Sequence, residues 1–303
     1  MFDIDGVIYT GSGGIEGATE AIDALRASGR SVRFLTNNSA KTPEMVIKTF
    51  NKQGLNAQPA EITTSSLAAA EFLLPTAKGK KVYVIGEQPL MDALAAKGML
   101  PFGGPDDGGK GKVEIGEETM SEAGLVPPAD QVAAVVVGAD SLINYYKIQK
   151  AASYLQCNPS TMFVVTNPDK QFLLKASSNH GGGMNIPILA PAAGVWMKAI
   201  EIISNREADM ICGKPSPKLG KWLMDVHGYD ADATCFVGDR IDTDVEFGRT
   251  NGMHVSCQDP AHHQPHHEQP PLRATTTTTT ATTATTTTTI TTLWCHHQRH
   301  APC

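Results

Sequence analysis

Two hydrophobic patterns alternate along the first 257 residues of this 303-residue chain. Short, mainly apolar runs of the kind found in buried parallel strands lie at residues 31–35, 81–86, 132–138, 162–166 and 234–237. Apolar positions with the spacing of amphipathic helices lie at residues 18–25, 43–50, 62–74, 146–155, 192–203 and 219–226. This alternation predicts an α/β fold built on a doubly wound parallel sheet.

The pattern also predicts how the chain divides into units. Residues 79–187 have strands and helices of their own, which predicts a smaller α/β cap domain inserted between two core segments, 1–78 and 188–257. Residues 258–303 contain a long threonine tract, prolines and histidine pairs without apolar periodicity. That composition predicts a disordered, low-complexity tail.

Composition and charge limit the kinds of partner, metal site and cellular location that are expected. The net charge is −6 and the Lys and Arg residues are scattered, which argues against nucleic-acid binding. The chain has no apolar run near the roughly 20 residues that a membrane-spanning helix needs, and its first residues lack the features of a signal peptide. The six cysteines include no C-x-x-C pair, so neither a zinc site nor a disulfide framework is expected. We therefore expect a cytoplasmic protein.

The first chemical signal is a pair of carboxylates at the start of the chain. Asp3 and Asp5 are separated by one residue, so on an extended strand both point to the same face. If the strand ends at Gly6, they project from its carboxyl end, where open α/β sheets place ligands. Two carboxylates in one crevice repel each other, so they require a shared proton, a basic residue or a metal ion. Alone, however, an Asp-x-Asp pair is more often a solvated turn.

Three further groups of polar residues follow predicted strands or precede predicted helices. The hydroxyl and amide side chains of Thr36, Asn37 and Asn38 lie where anions often bind, although helix capping is the simpler alternative there. Lys214 lies between a glycine and a proline, which indicates a directed rather than a freely exposed lysine. Asp239 and Asp244 come directly after the strand at residues 234–237. A doubly wound sheet would bring all these groups into one crevice.

In this order, the four groups resemble the motifs of the haloacid dehalogenase superfamily of phosphohydrolases. The matching segments are residues 3–7, 36–38, 213–215 and 238–244. The segments 34–39, 135–140, 166–169 and 213–217 resemble more closely the subgroup that contains 4-nitrophenyl phosphatases, phosphoglycolate phosphatases and pyridoxal phosphate phosphatases. The resemblance covers about residues 2–257, and it implies a Rossmann-like core with an inserted cap.

The resemblance implies a role for each site residue. Asp3 would be the nucleophile that forms an aspartyl-phosphate, and Asp5 would be the general acid and base. Mg²⁺ would be held by Asp3, the backbone carbonyl of Asp5 and Asp239, with Asp244 behind them through water. Lys214 would offset the negative charge and orient Asp3. The phosphoryl oxygens would be held by Thr36 and by the amides near Asn37 and Asn38.

The cap would close over a small phosphorylated substrate and select it, and two copies of the chain could associate through their caps. Asn167 and Asp169 are its candidate substrate contacts, although a turn role suits them equally well. Only Met1 and Phe2 precede the nucleophile, where the family has several apolar residues. A catalytically impaired protein with a binding or regulatory role is therefore the alternative, and a phosphomutase is a weaker third.

Overall fold

A computed structural model describes residues 1–10, 13–110, 124–125, 132–174 and 188–257. The predicted tail at residues 258–303 lies outside the described residues. No described helix combines the length and the apolar character needed to cross a membrane.

The described elements fall into strands, α-helices and short turns of other helix types. The strands are β1 (Tyr9–Thr10), β2 (Gly13–Gly14), β3 (Phe34–Thr36), β4 (Ile62–Thr64), β5 (Lys81–Ile85), β6 (Leu100–Gly103), β7 (Ala134–Val137), β8 (Met162–Val165), β9 (Gln171–Leu174), β10 (Ile188–Pro191), β11 (Met210–Ile211), β12 (Cys235–Gly238) and β13 (His254–Cys257). The α-helices are α1 (Ala18–Ala27), α2 (Pro43–Lys52), α3 (Ser65–Ala77), α4 (Gln88–Ala96), α5 (Tyr145–Cys157), α6 (Ala193–Ser204), α7 (Pro217–His227) and α8 (Glu246–Thr250). The 3₁₀ turns are Pro59–Glu61 and Gly104–Asp107, and Ile241–Val245 forms a π-helical turn.

The first parallel sheet is organised around the N-terminal residues. β3 pairs with β4 on one side and β12 with β13 on the other, both in parallel. Phe2 joins the two pairs through parallel bridges to Phe34 and Val237. The backbone N–H of Asp3 donates to the carbonyl of Val237 at 2.8 Å, so this short connection fixes the nucleophile candidate at the centre of the sheet. The predicted opening strand is therefore present only as a bridge.

The second sheet has five parallel strands in the order β11–β8–β7–β5–β6. Its three inner strands, β5, β7 and β8, are largely buried, and every residue of β7 is fully buried, as its continuous apolar run predicts. Helix α3 contributes alanines to a core on one face, while α5 and α6 cover the other face. The prediction of an α/β fold with parallel sheets is confirmed.

The second sheet includes elements from both sides of residue 187. β11 pairs with β8, and α6 packs against α5, although residues 188–257 were predicted to return to the core. The division of the chain at residues 78 and 187 remains a prediction. Because β11 belongs to the second sheet, the segment leading to Lys214 is attached to that sheet as well.

One local prediction was wrong in its bounds. The helix predicted over residues 62–74 begins later, because residues 62–64 pair with β3 and the Thr64 hydroxyl caps α3 by accepting from the backbone N–H of Leu67 at 3.2 Å. A neighbouring parallel strand here outweighs the local pattern.

Candidate active site

Carboxylates from two neighbouring strands of the first sheet meet at its carboxyl end. Asp3 follows the central bridge at Phe2, and Asp239 follows β12. One carboxylate oxygen from each of Asp3, Asp239 and Asp244 lies within 4.8 Å of the others. The crevice predicted from the parallel topology therefore brings these three acids together.

The acidic loop 239–244 folds back on its own carboxylate. Oδ2 of Asp244 accepts from the backbone N–H groups of Asp239 and Arg240, both at 3.1 Å. Gly238 makes this possible, since a Cβ there would lie 2.1 Å from the Cβ of Asp244. The π-helical turn that carries Asp244 thus places its side chain behind Asp239, facing into the protein.

A second glycine lets the N-terminal loop approach the same acid. Gly6 has φ +95°, and a Cβ at this position would lie 2.1 Å from Oδ2 of Asp239. A side chain here would be strained in its backbone and would also displace the carboxylate. The Asp-x-Asp-Gly sequence thus needs its glycine for close packing against Asp239.

Lys214 is the cation of the site. Its Nζ lies 2.5 Å from Oδ1 of Asp3 and 2.7 Å from Oδ1 of Asp244, and its side chain is 2% exposed. The contact with Asp244 is an ion pair without the alignment of a hydrogen bond. Lys214 follows β11, which pairs with β8. The backbone N–H of Cys212 extends this pairing by donating to the carbonyl of Val165 at 2.7 Å. The lysine therefore comes from the second sheet to acids that belong to the first.

Burial and crowding shift the pKa values of the site. Burial, and after it Asp244, raise the pKa of Asp3 to about 7 despite the lowering effect of Lys214. Burial would lower the pKa of Lys214, but Asp3 and Asp244 outweigh that effect and raise it. The pKa of Asp239 is raised by burial and then by Asp244. One ammonium among three acids leaves an excess of negative charge that favours a further cation.

The acidic side chains of the site are suited to binding a further cation. Oδ1 of Asp239 is buried and has no hydrogen-bond partner within the described part of the chain. A buried carboxylate oxygen is normally paired, so this atom is available as a ligand. The donors that surround it are oxygens, which suits a hard ion such as Mg²⁺.

Asp5 lies outside the group of three acids. The backbone turns after Ile4, whose carbonyl accepts from the N–H of Ile8 at 2.9 Å, and the Asp5 side chain is exposed. Its Oδ2 accepts from the hydroxyl of Thr36 at 3.3 Å. Asp5 is thus an exposed carboxylate beside the phosphate-binding candidate Thr36, and its proton-transfer role remains a prediction. The predicted metal contact through the Asp5 backbone carbonyl remains a prediction.

Of the three phosphate-binding candidates, the two asparagines use their side chains within the protein. The Thr36 hydroxyl accepts from the N–H of Asn38 at 3.1 Å, and Oδ1 of Asn38 accepts from the N–H of Ala40 at 2.9 Å. The Asn37 side chain bonds the backbone of Lys214 and the carboxylate of Asp169. Phosphate contact by these residues remains a prediction, and for Asn37 the side-chain amide is already engaged.

The two cap candidates contact residues near the site, and their contact with a substrate remains a prediction. Nδ2 of Asn167 donates to the carbonyl of Asn37 at 2.8 Å, and Asp169 forms an ion pair with Arg240 at 3.2 Å. Arg240 was missed as a site residue, although it is the one cation in the acidic loop that the sequence singles out. Ser65 was also missed: its hydroxyl donates to the carbonyl of Asn37 at 2.8 Å, and no local pattern indicates this contact.

Comparison with known proteins places this site in a family. Residues 1–99 match the model described as haloacid dehalogenase-like hydrolase, and residues 211–277 match the one described as HAD-hydrolase-like. The chain is 39% identical to phosphoglycolate phosphatase 1A, chloroplastic, of Arabidopsis thaliana over 83% of this chain and 66% of that protein. It is 30% identical to the 4-nitrophenylphosphatase of Schizosaccharomyces pombe over 84% of this chain and 80% of that protein.

A solved structure agrees with these relatives. The p-nitrophenyl phosphatase from Archaeoglobus fulgidus superposes with a TM-score of 0.67 at 26% identity, over 85% of this chain and 84% of that one. The chain belongs to the haloacid dehalogenase-like hydrolases, which confirms the resemblance of the four motifs. It spans 66% of the length of the Arabidopsis relative.

Proposed function

We propose that the chain hydrolyses a phosphomonoester of a small metabolite, of the phosphoglycolate or 4-nitrophenyl phosphate type, through a covalent intermediate on Asp3. The observation that carries this proposal is the buried contact of Lys214 with Asp3 and Asp244, beside the unpaired oxygen of Asp239. The names of the relatives support the same reaction class.

In the first step, a carboxylate oxygen of Asp3 forms a bond to phosphorus and the ester oxygen leaves. Asp5 gives its proton to that oxygen, so the alcohol departs neutral and Asp5 becomes ionised. In the second step, a water oxygen attacks the phosphorus of the aspartyl-phosphate, and Asp5 takes a proton from this water. Inorganic phosphate leaves and Asp3 is restored. Splitting the hydrolysis in this way replaces one difficult step with two easier ones.

The protein has to keep Asp3 ionised and directed at the phosphorus of the substrate. Burial, and after it Asp244, raise the pKa of Asp3 to about 7, although the adjacent Lys214 favours the charged form. Asp3 and Asp239 would hold Mg²⁺, with Asp244 behind them, and the ion would supply neutralisation of the phosphoryl charge. The exposed Asp5 lies beside Thr36, where it can exchange protons with the leaving group and with water.

The decisive experiment is hydrolysis of 4-nitrophenyl phosphate by the purified chain with Mg²⁺ and by the Asp3→Asn variant. We expect turnover by the unmodified chain and none by the variant, because an amide is a poor nucleophile. Asp23→Asn, an exposed change on α1, is the matched control and should leave turnover unchanged. Circular dichroism should show that both variants are folded.

The alternatives give different results. Transfer of phosphate to a sugar phosphate rather than to water would indicate the phosphomutase hypothesis. A folded chain without turnover on 4-nitrophenyl phosphate, 2-phosphoglycolate and glycerol 3-phosphate would favour the catalytically impaired alternative. Association through the cap and location in the cytoplasm remain predictions.

A further inference from the structure

The Asn37 side chain contacts Lys214 in a paired manner. Its Oδ1 accepts from the backbone N–H of Lys214 at 2.7 Å, and its Nδ2 donates to the backbone carbonyl of the same residue at 3.0 Å. Both polar backbone groups of Lys214 are thus bonded to one planar amide. Two bonds to a rigid group fix the direction in which the backbone presents its side chain.

The second N–H of this amide points at Asp169. Nδ2 of Asn37 lies 2.9 Å from Oδ2 of Asp169, whose other oxygen forms the ion pair with Arg240. If the amide rotated by 180°, its oxygen would face this carboxylate and the carbonyl of Lys214, and its NH₂ would face the N–H of Lys214. All three new contacts would be repulsive. The negative charge of Asp169 therefore adds to the preference for the orientation of Asn37 that pairs with Lys214.

The loop that carries Asp169 is itself held closely against the segment before Lys214. A Cβ on Gly213 would lie 2.7 Å from the Cβ of Asn167 and from the carbonyl oxygen of Thr166. The N–H of Gly194 donates to the backbone carbonyl of Asp169 at 2.8 Å. The Asp169 side chain is 15% exposed. Its carboxylate is thus committed to protein groups at the boundary of the two sheets.

We propose that Asp169 is a positioning residue: its carboxylate, held by Arg240, orients the Asn37 amide, which in turn holds the Lys214 backbone so that its ammonium meets Asp3 and Asp244. This inference rests on the proposed hydrolysis, in which Lys214 orients Asp3. It assigns Asp169 to the catalytic geometry rather than to recognition of the substrate.

The test compares kcat and KM of Asp169→Ala and Asp169→Asn on 4-nitrophenyl phosphate, 2-phosphoglycolate and glycerol 3-phosphate. A misplacement near 1 Å costs about 10²-fold in rate, so kcat of the Ala variant should fall by about 10- to 100-fold with KM nearly unchanged. The factor should be the same for all three substrates. Asp169→Asn keeps an oxygen acceptor and should give an intermediate kcat. Asp242→Asn, which neutralises the exposed second partner of Arg240, should leave kcat unchanged.

Two further readouts separate positioning from a general structural role. Adding Asn37→Ala to Asp169→Ala should cost no more than Asn37→Ala alone, because the two residues act in series. Amide hydrogen exchange at Lys214, followed by mass spectrometry, should be faster in Asp169→Ala than in the unmodified chain, while exchange in β5 stays unchanged.

Several results would overturn the inference. A rise in KM, or a loss that differs among the substrates, would make Asp169 a substrate contact. If the losses of kcat add in the double variant, or if amide exchange at Lys214 is unchanged, Asp169 does not act through Lys214. If Asp169→Ala does not fold, a kcat of Asp169→Asn equal to that of the unmodified chain would likewise overturn the inference. An inactive unmodified chain would remove the proposed function instead, and the exchange measurement would still test the link between Asp169 and Lys214.

Discussion

Replacing Lys214 by methionine tests whether charge balance holds the site together. The change keeps most of the side-chain volume but leaves Asp3 and Asp244 buried without their counter-charge. Removing one partner of a buried ion pair costs about 3–5 kcal/mol. Domains of this kind are stable by only about 5–15 kcal/mol, so we expect metal-free Lys214→Met to lose at least about a fifth of its free energy of unfolding.

The assay is urea unfolding followed by circular dichroism, in EDTA and again in Mg²⁺. Because a bound cation would take over the neutralisation, Mg²⁺ should stabilise Lys214→Met more than it stabilises the unmodified chain. Adding Asp3→Asn removes one of the unpaired charges and should recover part of the loss. Hydrolysis should remain absent in each variant, because charge balance alone does not aim the nucleophile.

The chain offers a matched control for this experiment. Lys147 is also fully buried, and its Nζ lies 2.7 Å from Oδ2 of Asp140, which is not a member of the cluster of Asp3, Asp239 and Asp244. Lys147→Met should lose a similar free energy of unfolding, independent of Mg²⁺, and keep its activity per folded molecule. The reasoning is refuted if Lys214→Met in EDTA unfolds within about 1 kcal/mol of the unmodified chain, which is below the cost of breaking a buried pair. Equal stabilisation of both lysine variants by Mg²⁺ would refute it as well.

Three further predictions concern the same crevice. Asp239→Ala should weaken Mg²⁺ binding in isothermal titration calorimetry by about 10-fold or more while the fold is kept, since it removes a ligand oxygen; unchanged binding would place the ion elsewhere. Gly6→Ala should lower kcat by about 10²-fold through displacement of Asp239, whereas Gly17→Ala, also at positive φ but with open space around it, should retain activity. Because the pKa of Asp3 is raised to about 7 and a metal binds the ionised form, Mg²⁺ affinity should rise as pH increases towards 7 and level off above it; an affinity that is flat between pH 5 and 7 would contradict this.

The sequence alone determined the local elements that have strong signals. The continuous apolar runs at β5, β7, β8 and β12 predicted buried strands, because a strand covered on both faces has no polar side. Thr42 stands directly before Pro43, an order that is typical of a helix start, and its hydroxyl accepts from the N–H of Met45 at 3.3 Å. Such signals depend on neighbouring residues, so they can be read without knowing the rest of the fold. The four motifs, taken in order, also predicted the family.

Only the tertiary structure decided which sheet supplies each group. The alternation of side chains tells which face a residue occupies but not which strand lies beside it. The two-residue β11 is too short to give a pattern, yet its pairing with β8 brings Lys214 from the second sheet to Asp3 in the first. For the same reason, the partners of Asn37 and Asp169 could not be predicted. They depend on contacts between residues 132 positions apart, and a hydrogen bond at that separation is specified by packing rather than by local sequence.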